Sequence, residues 1–328
     1  MRRRTFIAVL GAAAAARPFA ARGDERIPRI GWLALAPPDV DRPVFEAFES
    51  GLSEFGFIPG KTIEVEARFA DGGAQDKLME LAKELIDLKA DIIVTGGPGV
   101  IAAHDVTKTV PIVMNTFGSI DELIAMGMIA SPARPGGNVT GETFFVPDLQ
   151  VKRIELLKQV KPGMTRVGVL TLQGNPYDRF YPALEARVRA LGLTAEKIEL
   201  AGPDDCDRAL SSGPGASIGG LMVVDLPQFT VGPGPAAVAA AALRHGVPAA
   251  GPFSFARSGG LLSYAVDLIP LFRRAAFFVD RILKGTKPGD IPIEQATRFV
   301  TVVNLKTANA LGLDIPPTLL AAADEVIE

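Results

Sequence analysis

Apolar and polar positions fall into blocks along this chain, and the blocks come twice in the same order. Residues 30–35 are a continuous apolar run of strand length, stopped by Ala36-Pro37-Pro38-Asp39, the pattern of a parallel strand buried on both faces. Over 41–55 the apolar residues Val44, Phe45, Phe48 and Leu52 recur at helical spacing, and Gly56 stops the run. The pattern then predicts a strand over 62–69, a helix over 76–88 with Leu78, Leu81, Leu85 and Leu88 on one face, a strand over 91–95, a short helix over 100–107 and a strand over 110–114. Past residue 141 the order returns, with helix 148–160, strand 166–170, helix 181–191, strands 195–200 and 220–224, helix 236–244, and brief strands over 247–250 and 260–264. Ser211-Ser-Gly-Pro-Gly215 degrades the helix due before residue 220, so a short or frayed one is expected there. A long amphipathic helix over 268–283, a strand over 298–303 and a helix over 305–311 follow, and Pro316-Pro317 breaks the chain before the run 319–327.

Strands alternating with helices predict an α/β protein with parallel, doubly wound sheets. The repetition extends to particular residues. Arg29-Ile-Gly-Trp-Leu33, Asp41-Arg42 and Phe55-Gly56-Phe57 are answered by Arg166-Val-Gly-Val-Leu170, Asp178-Arg179 and Leu191-Gly192-Leu193, with the same glycine-to-aspartate spacing. Two βα units in register predict two similar lobes. Between them lies Arg134-Pro-Gly-Gly-Asn-Val-Thr-Gly141, where Gly136, Gly137 and Gly141 supply the φ freedom of a lobe crossing. The stretch reads as a hinge; an ordinary β-turn within one sheet has the same spacing.

In open parallel sheets a ligand site lies beyond the carboxyl ends of the strands. That rule selects the loops 36–39, 95–98, 115–119, 173–176 and 225–228, which come from both halves and would form the two walls of one cleft. Asp225 and Asp267 are the strand-end acids, each able to cap a helix or to serve as counter-ion to a ligand ammonium. Phe117, Phe144, Phe145 and Phe253 sit in or beside loops and can line the cleft, whereas Trp32, inside the first strand, reads as core.

Composition narrows the function. A chain of 328 residues, 48% of them hydrophobic, can bury two cores of ordinary domain size. The start, Met-Arg-Arg-Arg-Thr-Phe-Ile, is followed by a short apolar run over 8–16 and small residues near 20–21, which describes an export signal over 1–21, with Arg3-Arg4-Thr5-Phe6-Ile7 similar to the twin-arginine type. Removal of Arg2, Arg3, Arg4 and Arg17 leaves 30 basic against 37 acidic residues, and that negative balance argues against nucleic acid or an anionic membrane as partner. With one cysteine, Cys206, and two histidines, His104 and His245, the chain lacks the parts for a disulfide, a metal cluster or a Cys/His nucleophile. Gly97-Pro-Gly99-Val-Ile-Ala102 has the spacing of a dinucleotide fingerprint, but it follows the third strand and Pro98 removes an amide that a pyrophosphate would use. No Walker lysine motif occurs. No cofactor and no metal are expected.

Three motifs occur together: Arg134 to Gly141, Gly260-Leu-Leu-Ser-Tyr-Ala-Val-Asp267, and the tail through Asn304-Leu-Lys-Thr-Ala308 and Leu311-Gly-Leu-Asp-Ile-Pro-Pro-Thr318. They resemble the tryptophan/tyrosine-type family of ABC transporter substrate-binding proteins over essentially the whole mature chain. The resemblance implies a type I periplasmic-binding fold, two Rossmann-like lobes with three crossings, here 29–141 with 267–290 and 142–266 with 295–328. It implies closure on a small ligand without chemistry, an ABC permease as partner, a monomer, and a periplasmic location. By position, Thr95, Gly96 and Gly97 look like the first-lobe ligand loop, Asn175 like the second-lobe loop, and Tyr264 with Asp267 like a late strand-end pair. Gly118-Ser-Ile120 and Tyr264-Ala-Val-Asp267 stand where the family commonly has Gly-Asp-Pro and Tyr-Gly-Pro-Asp. The expected ligand, an amino acid or small aromatic or carboxylate compound, would then meet Ala36, Pro37, the amides around Gly96, Phe117, Ser119, Phe253 and the anchors Asp225 and Asp267. A ligand-sensing module of a signalling system shares this fold, and a Rossmann-type oxidoreductase is the enzymatic alternative.

Overall fold

Each apolar run expected to be a strand enters one of two sheets in the computed structural model, which describes residues 26–71, 75–117, 120–144, 146–175, 181–230 and 232–328. The first half reads β1 (Arg29–Ala34), α1 (Pro38–Glu54), β2 (Glu64–Phe69), α2 (Gln75–Asp87), β3 (Ile92–Gly96), α3 (Pro98–Val106), β4 (Ile112–Thr116), α4 (Ile120–Ala125) and β5 (Val139–Thr143). The second half reads α5 (Val146–Val160), β6 (Arg166–Leu172), α6 (Tyr181–Ala190), β7 (Thr194–Leu200), α7 (Cys206–Ser211), β8 (Gly220–Val223), α8 (Pro227–Thr230), α9 (Gly234–Arg244), β9 (Ala249–Gly251) and β10 (Leu262–Val266). The tail adds α10 (Leu268–Leu283), β11 (Glu294–Gln295), β12 (Phe299–Asn304), α11 (Leu305–Ala310), α12 (Pro317–Ala321) and β13 (Glu325–Ile327). The export signal expected over 1–21 lies outside the described residues.

Two separate sheets result, ordered β11-β5-β4-β3-β1-β2 and β13-β12-β10-β9-β8-β6-β7. Every pairing is parallel except β10 with β12. Parallel strands need both faces covered, and the burial follows that demand. One side of the first sheet packs Leu78, Leu81 and Leu85 of α2, and the other packs Phe48 and Leu52 of α1 with Ala276, Phe278 and Val279 of α10. The second sheet has its own core, built on Ile154 and Leu157 of α5 and Leu184 and Val188 of α6. Cys206 is buried there, and burial pushes its thiol up to about 12. The helix expected to be degraded is the six-residue α7, followed by a 3-10 turn over Gly213–Ser217.

The chain passes between the two bodies three times: from β5 to α5, from β10 to α10 and from β11 to β12. The expected hinge therefore moves. Gly136 and Gly137 lie in the turn before β5, where the Gly136 amide donates to the Gly289 carbonyl at 3.0 Å, and Gly141 lies inside β5. Gly141 has φ +128°, and a Cβ there would stand 1.9 Å from the Met114 carbonyl oxygen of the neighbouring strand. Its glycine serves a close strand approach. The lobe boundaries shift with the hinge: β5 keeps the first body running to Thr143, two residues beyond the expected 141, and β11 places Gln295 in the first sheet.

Where the connections meet, Leu149, Val266 and Leu271 form a small apolar cluster of their own. Beside it Glu142 of β5 is in register with Glu294 of β11, and Glu294 is bonded to Arg274 of α10 at 2.8 Å. Glu142 is 7% exposed, and its Oε2 has no hydrogen-bond partner among the described residues. Burial first, and then repulsion from Glu294, push its carboxyl up to about 8 against the opposing pull of Arg274.

Candidate functional site

The carboxyl ends of β1, β3 and β4 face those of β6 and β8 across a cavity of about 720 Å³. Of the expected first-lobe residues, Ala36, Gly96, Gly97 and Phe117 line it; from the second lobe, Asn175, Asp225 and Phe253 do. Its walls are largely aromatic and aliphatic, with Trp32, Phe117, Phe144, Tyr181, Phe253 and Phe272 all reaching the space. Phe117 is held by its own backbone: its carbonyl accepts from the Thr143 hydroxyl at 2.6 Å and from the Phe144 amide at 3.2 Å. Gly96 lets the β4 end approach, because a Cβ there would stand 2.2 Å from Thr116 Oγ1 and 2.5 Å from Asn115 Oδ1. Asn115 is 1% exposed and lines the cavity, and its Oδ1 has no hydrogen-bond partner among the described residues. On the opposite wall the Asn175 amide nitrogen donates to Thr171 Oγ1 at 2.9 Å.

Residues 40–327 match the family model described as ABC transporter substrate binding protein. The chain belongs to that family. Over 287 residues the substrate-binding protein is 24% identical to the tyrosine-binding protein of Clostridioides difficile (strain R20291), a match covering 84% of this chain and 78% of that one. The ABC domain from Streptococcus pneumonia in complex with L-Trp superposes with a TM-score of 0.80 at 23% identity, covering 92% of this chain and 99% of that one. The ligand-free, open structure of a substrate-binding protein with adhesive properties from Clostridium difficile gives a TM-score of 0.71 at 21% identity, over 92% and 99% of the two chains. At these identities the structures establish the fold, which is of the type I periplasmic-binding kind.

Several residues expected to meet a ligand have other partners in the substrate-binding protein. Thr95 is 1% exposed, and its hydroxyl donates to the Leu33 carbonyl at 2.8 Å, tying β3 to β1 below the cavity. Pro37 is the N-cap of α1 and does not line the space. Tyr264 does not line the space and stacks on Phe299 with ring centroids 5.6 Å apart. Asp267 accepts from the Ile269 amide at 3.3 Å as N-cap of α10 and pairs with Arg298 at 3.0 Å, linking the second and third connections. Ser119 and Phe145 lie outside the described residues.

Asp225 does line the cavity, but its charge is already answered. Arg153, fully buried on α5, clasps both carboxylate oxygens at 2.6 and 2.7 Å, and donates its Nε proton to the Tyr264 carbonyl at 2.9 Å. A bidentate pair of this kind closes the ends of β8 and β10 onto α5. Among the described residues Arg257 is the cation on the lining: it lies 4.5 Å over the Phe253 ring and bonds Glu325 of β13 at 3.1 Å.

Sequence reasoning missed Asp41. It stands in the first turn of α1, where the helix dipole favours a carboxylate, and it is 8% exposed on the cavity wall. The Trp32 indole N–H donates to Asp41 Oδ2 at 2.7 Å, and the indole itself is wedged by Phe45, Phe48 and Phe272 at centroid distances of 5.2, 5.1 and 5.6 Å. Burial pushes the Asp41 carboxyl up to about 6, with the Trp32 bond opposing. One signal was available: a tryptophan deep in a strand needs an acceptor for its N–H, and a nearby helix-start acid is the obvious one.

Proposed function

We propose that this chain is an exported receptor of an ABC importer, which closes two lobes on a small ligand and presents the closed form to a permease in the inner membrane. The observation that carries this reading is one cavity with walls from two separately cored bodies joined by three short connections. Such a cavity has the size and apolar lining of a small-molecule site, and a ligand touching both walls favours the arrangement in which they face each other. The ligand is an amino acid or small aromatic compound. The aromatic walls support that class, as do a relative named for binding tyrosine and a structural neighbour in complex with L-Trp. The cleft binds and releases without chemistry, and the mature protein works as a periplasmic monomer.

A thermal-shift screen of the purified mature chain against amino acids, aromatic acids and sugars tests the reading. A true ligand at a hundred times its Kd adds about 2.7 kcal/mol to the stability of the folded form and raises Tm visibly. A screen in which no member of the amino-acid and aromatic classes raises Tm would overturn it.

A further inference from the structure

Among the described residues the charged groups lining the cavity are Asp41, Asp225 and Arg257. Two of them are closed off by protein partners, Asp225 by Arg153 and Arg257 by Glu325. Asp41 is different: Trp32 takes Oδ2, while Oδ1 has no hydrogen-bond partner among the described residues, and the side chain is more than nine-tenths buried. Among the described residues the neighbouring cations are exposed or paired. On its own helix Asp39 and Arg42 are exposed; on the helix packed against it Arg273 is bonded to Glu54 and Arg274 to Glu294. Across the cavity, among the described residues, the titratable groups are Tyr181 and the two closed pairs. On the same first-lobe wall the partnerless Asn115 Oδ1 adds a second acceptor. A carboxylate oxygen and a buried amide carbonyl oxygen on one cavity wall call for a ligand rich in hydrogen-bond donors and positive in charge.

Resting on the receptor reading above, we infer that Asp41 is the charge partner of the ligand and that selection falls on a primary ammonium carried by an aromatic or apolar body. Binding is proton-linked in consequence. Burial holds the empty carboxyl near 6, so below that pH the site must release a proton before it receives an ammonium, and affinity falls by up to about tenfold per pH unit.

Titration calorimetry on the mature chain tests this with three probes that share a ring: L-tyrosine, tyramine and 3-(4-hydroxyphenyl)propionate, with the tryptophan, tryptamine and indole-3-propionate set run in parallel. The amino acid and the amine should bind, and the deaminated acid should be weaker by about 30-fold or more. Asp41→Asn keeps an oxygen for the Trp32 N–H and should lose amine affinity by a similar factor while its ligand-free Tm does not fall. Its residual binding should also lack the pH dependence near 6 expected of the wild type. A deaminated acid that binds as tightly as the amine, or an Asp41→Asn protein that keeps amine affinity, overturns the inference and leaves the receptor reading intact. Should neither these compounds nor the wider screen bind, both fall together.

Discussion

Replacing Glu142 with glutamine should stabilise this protein by an amount that grows with pH. The carboxyl is buried beside Glu294, with Oε2 lacking a hydrogen-bond partner among the described residues, and it is raised from 4.5 to about 8. Between those two values the folded chain holds a proton that the unfolded chain has released. Stability is therefore lost as pH rises through that window, which is the sign for an acid whose folded pKa is raised. At about 1.4 kcal/mol per pH unit, the span from 4.5 to pH 7 corresponds to a handicap of up to about 3 kcal/mol. Glutamine has nearly the same shape and no proton to lose, so it removes that handicap. Urea unfolding followed at several pH values between 4 and 9 should show the variant and the wild type equally stable at the acid end. The gap should widen steadily towards neutrality and level off near 8. A difference that stays constant across the range would refute the argument, because packing changes carry no such pH signature.

Two further outcomes follow from the ion pairs. Arg153→Met leaves Asp225 without its partner at the cavity wall and should cost about 3–5 kcal/mol in urea unfolding. Arg153→Met with Asp225→Asn should recover much of that loss, and equal destabilisation of the single and double variants would count against a charge-pair origin. Asp267→Ala removes the cap of α10 and the tie to Arg298, so stability should fall by about 1 kcal/mol with ligand affinity nearly unchanged. An affinity loss beyond about tenfold would return Asp267 to the ligand.

The choice among carboxylates shows where a linear reading stops. Asp225 and Asp267 stood at strand ends, where topology puts ligand loops, and the loops are indeed there. Whether an acid in such a loop is available depends on what the rest of the chain brings against it. Arg153 is 72 positions away from Asp225, and Arg298 comes from another connection altogether. Asp41 carried no such positional mark, since an acid in the first turn of a helix is ordinary. Its meaning comes from an indole on the adjacent strand and from a second lobe that covers it. Thr95 and Tyr264 fell on the right strands, but one faces its own sheet's backbone and the other an aromatic neighbour.

By itself the sequence determined the alternation of strands and helices, the doubling of the βα pattern and the set of strand-end loops. Those depend on local periodicity and chain order, which a linear string records in full. The tertiary structure decided where the chain crosses between bodies, because Gly141 looks like a flexible joint until Met114 is found against it. It also decided which buried charge is answered by the protein and which is left for a ligand, since partnership between distant groups exists only once two sheets and three connections have brought them together.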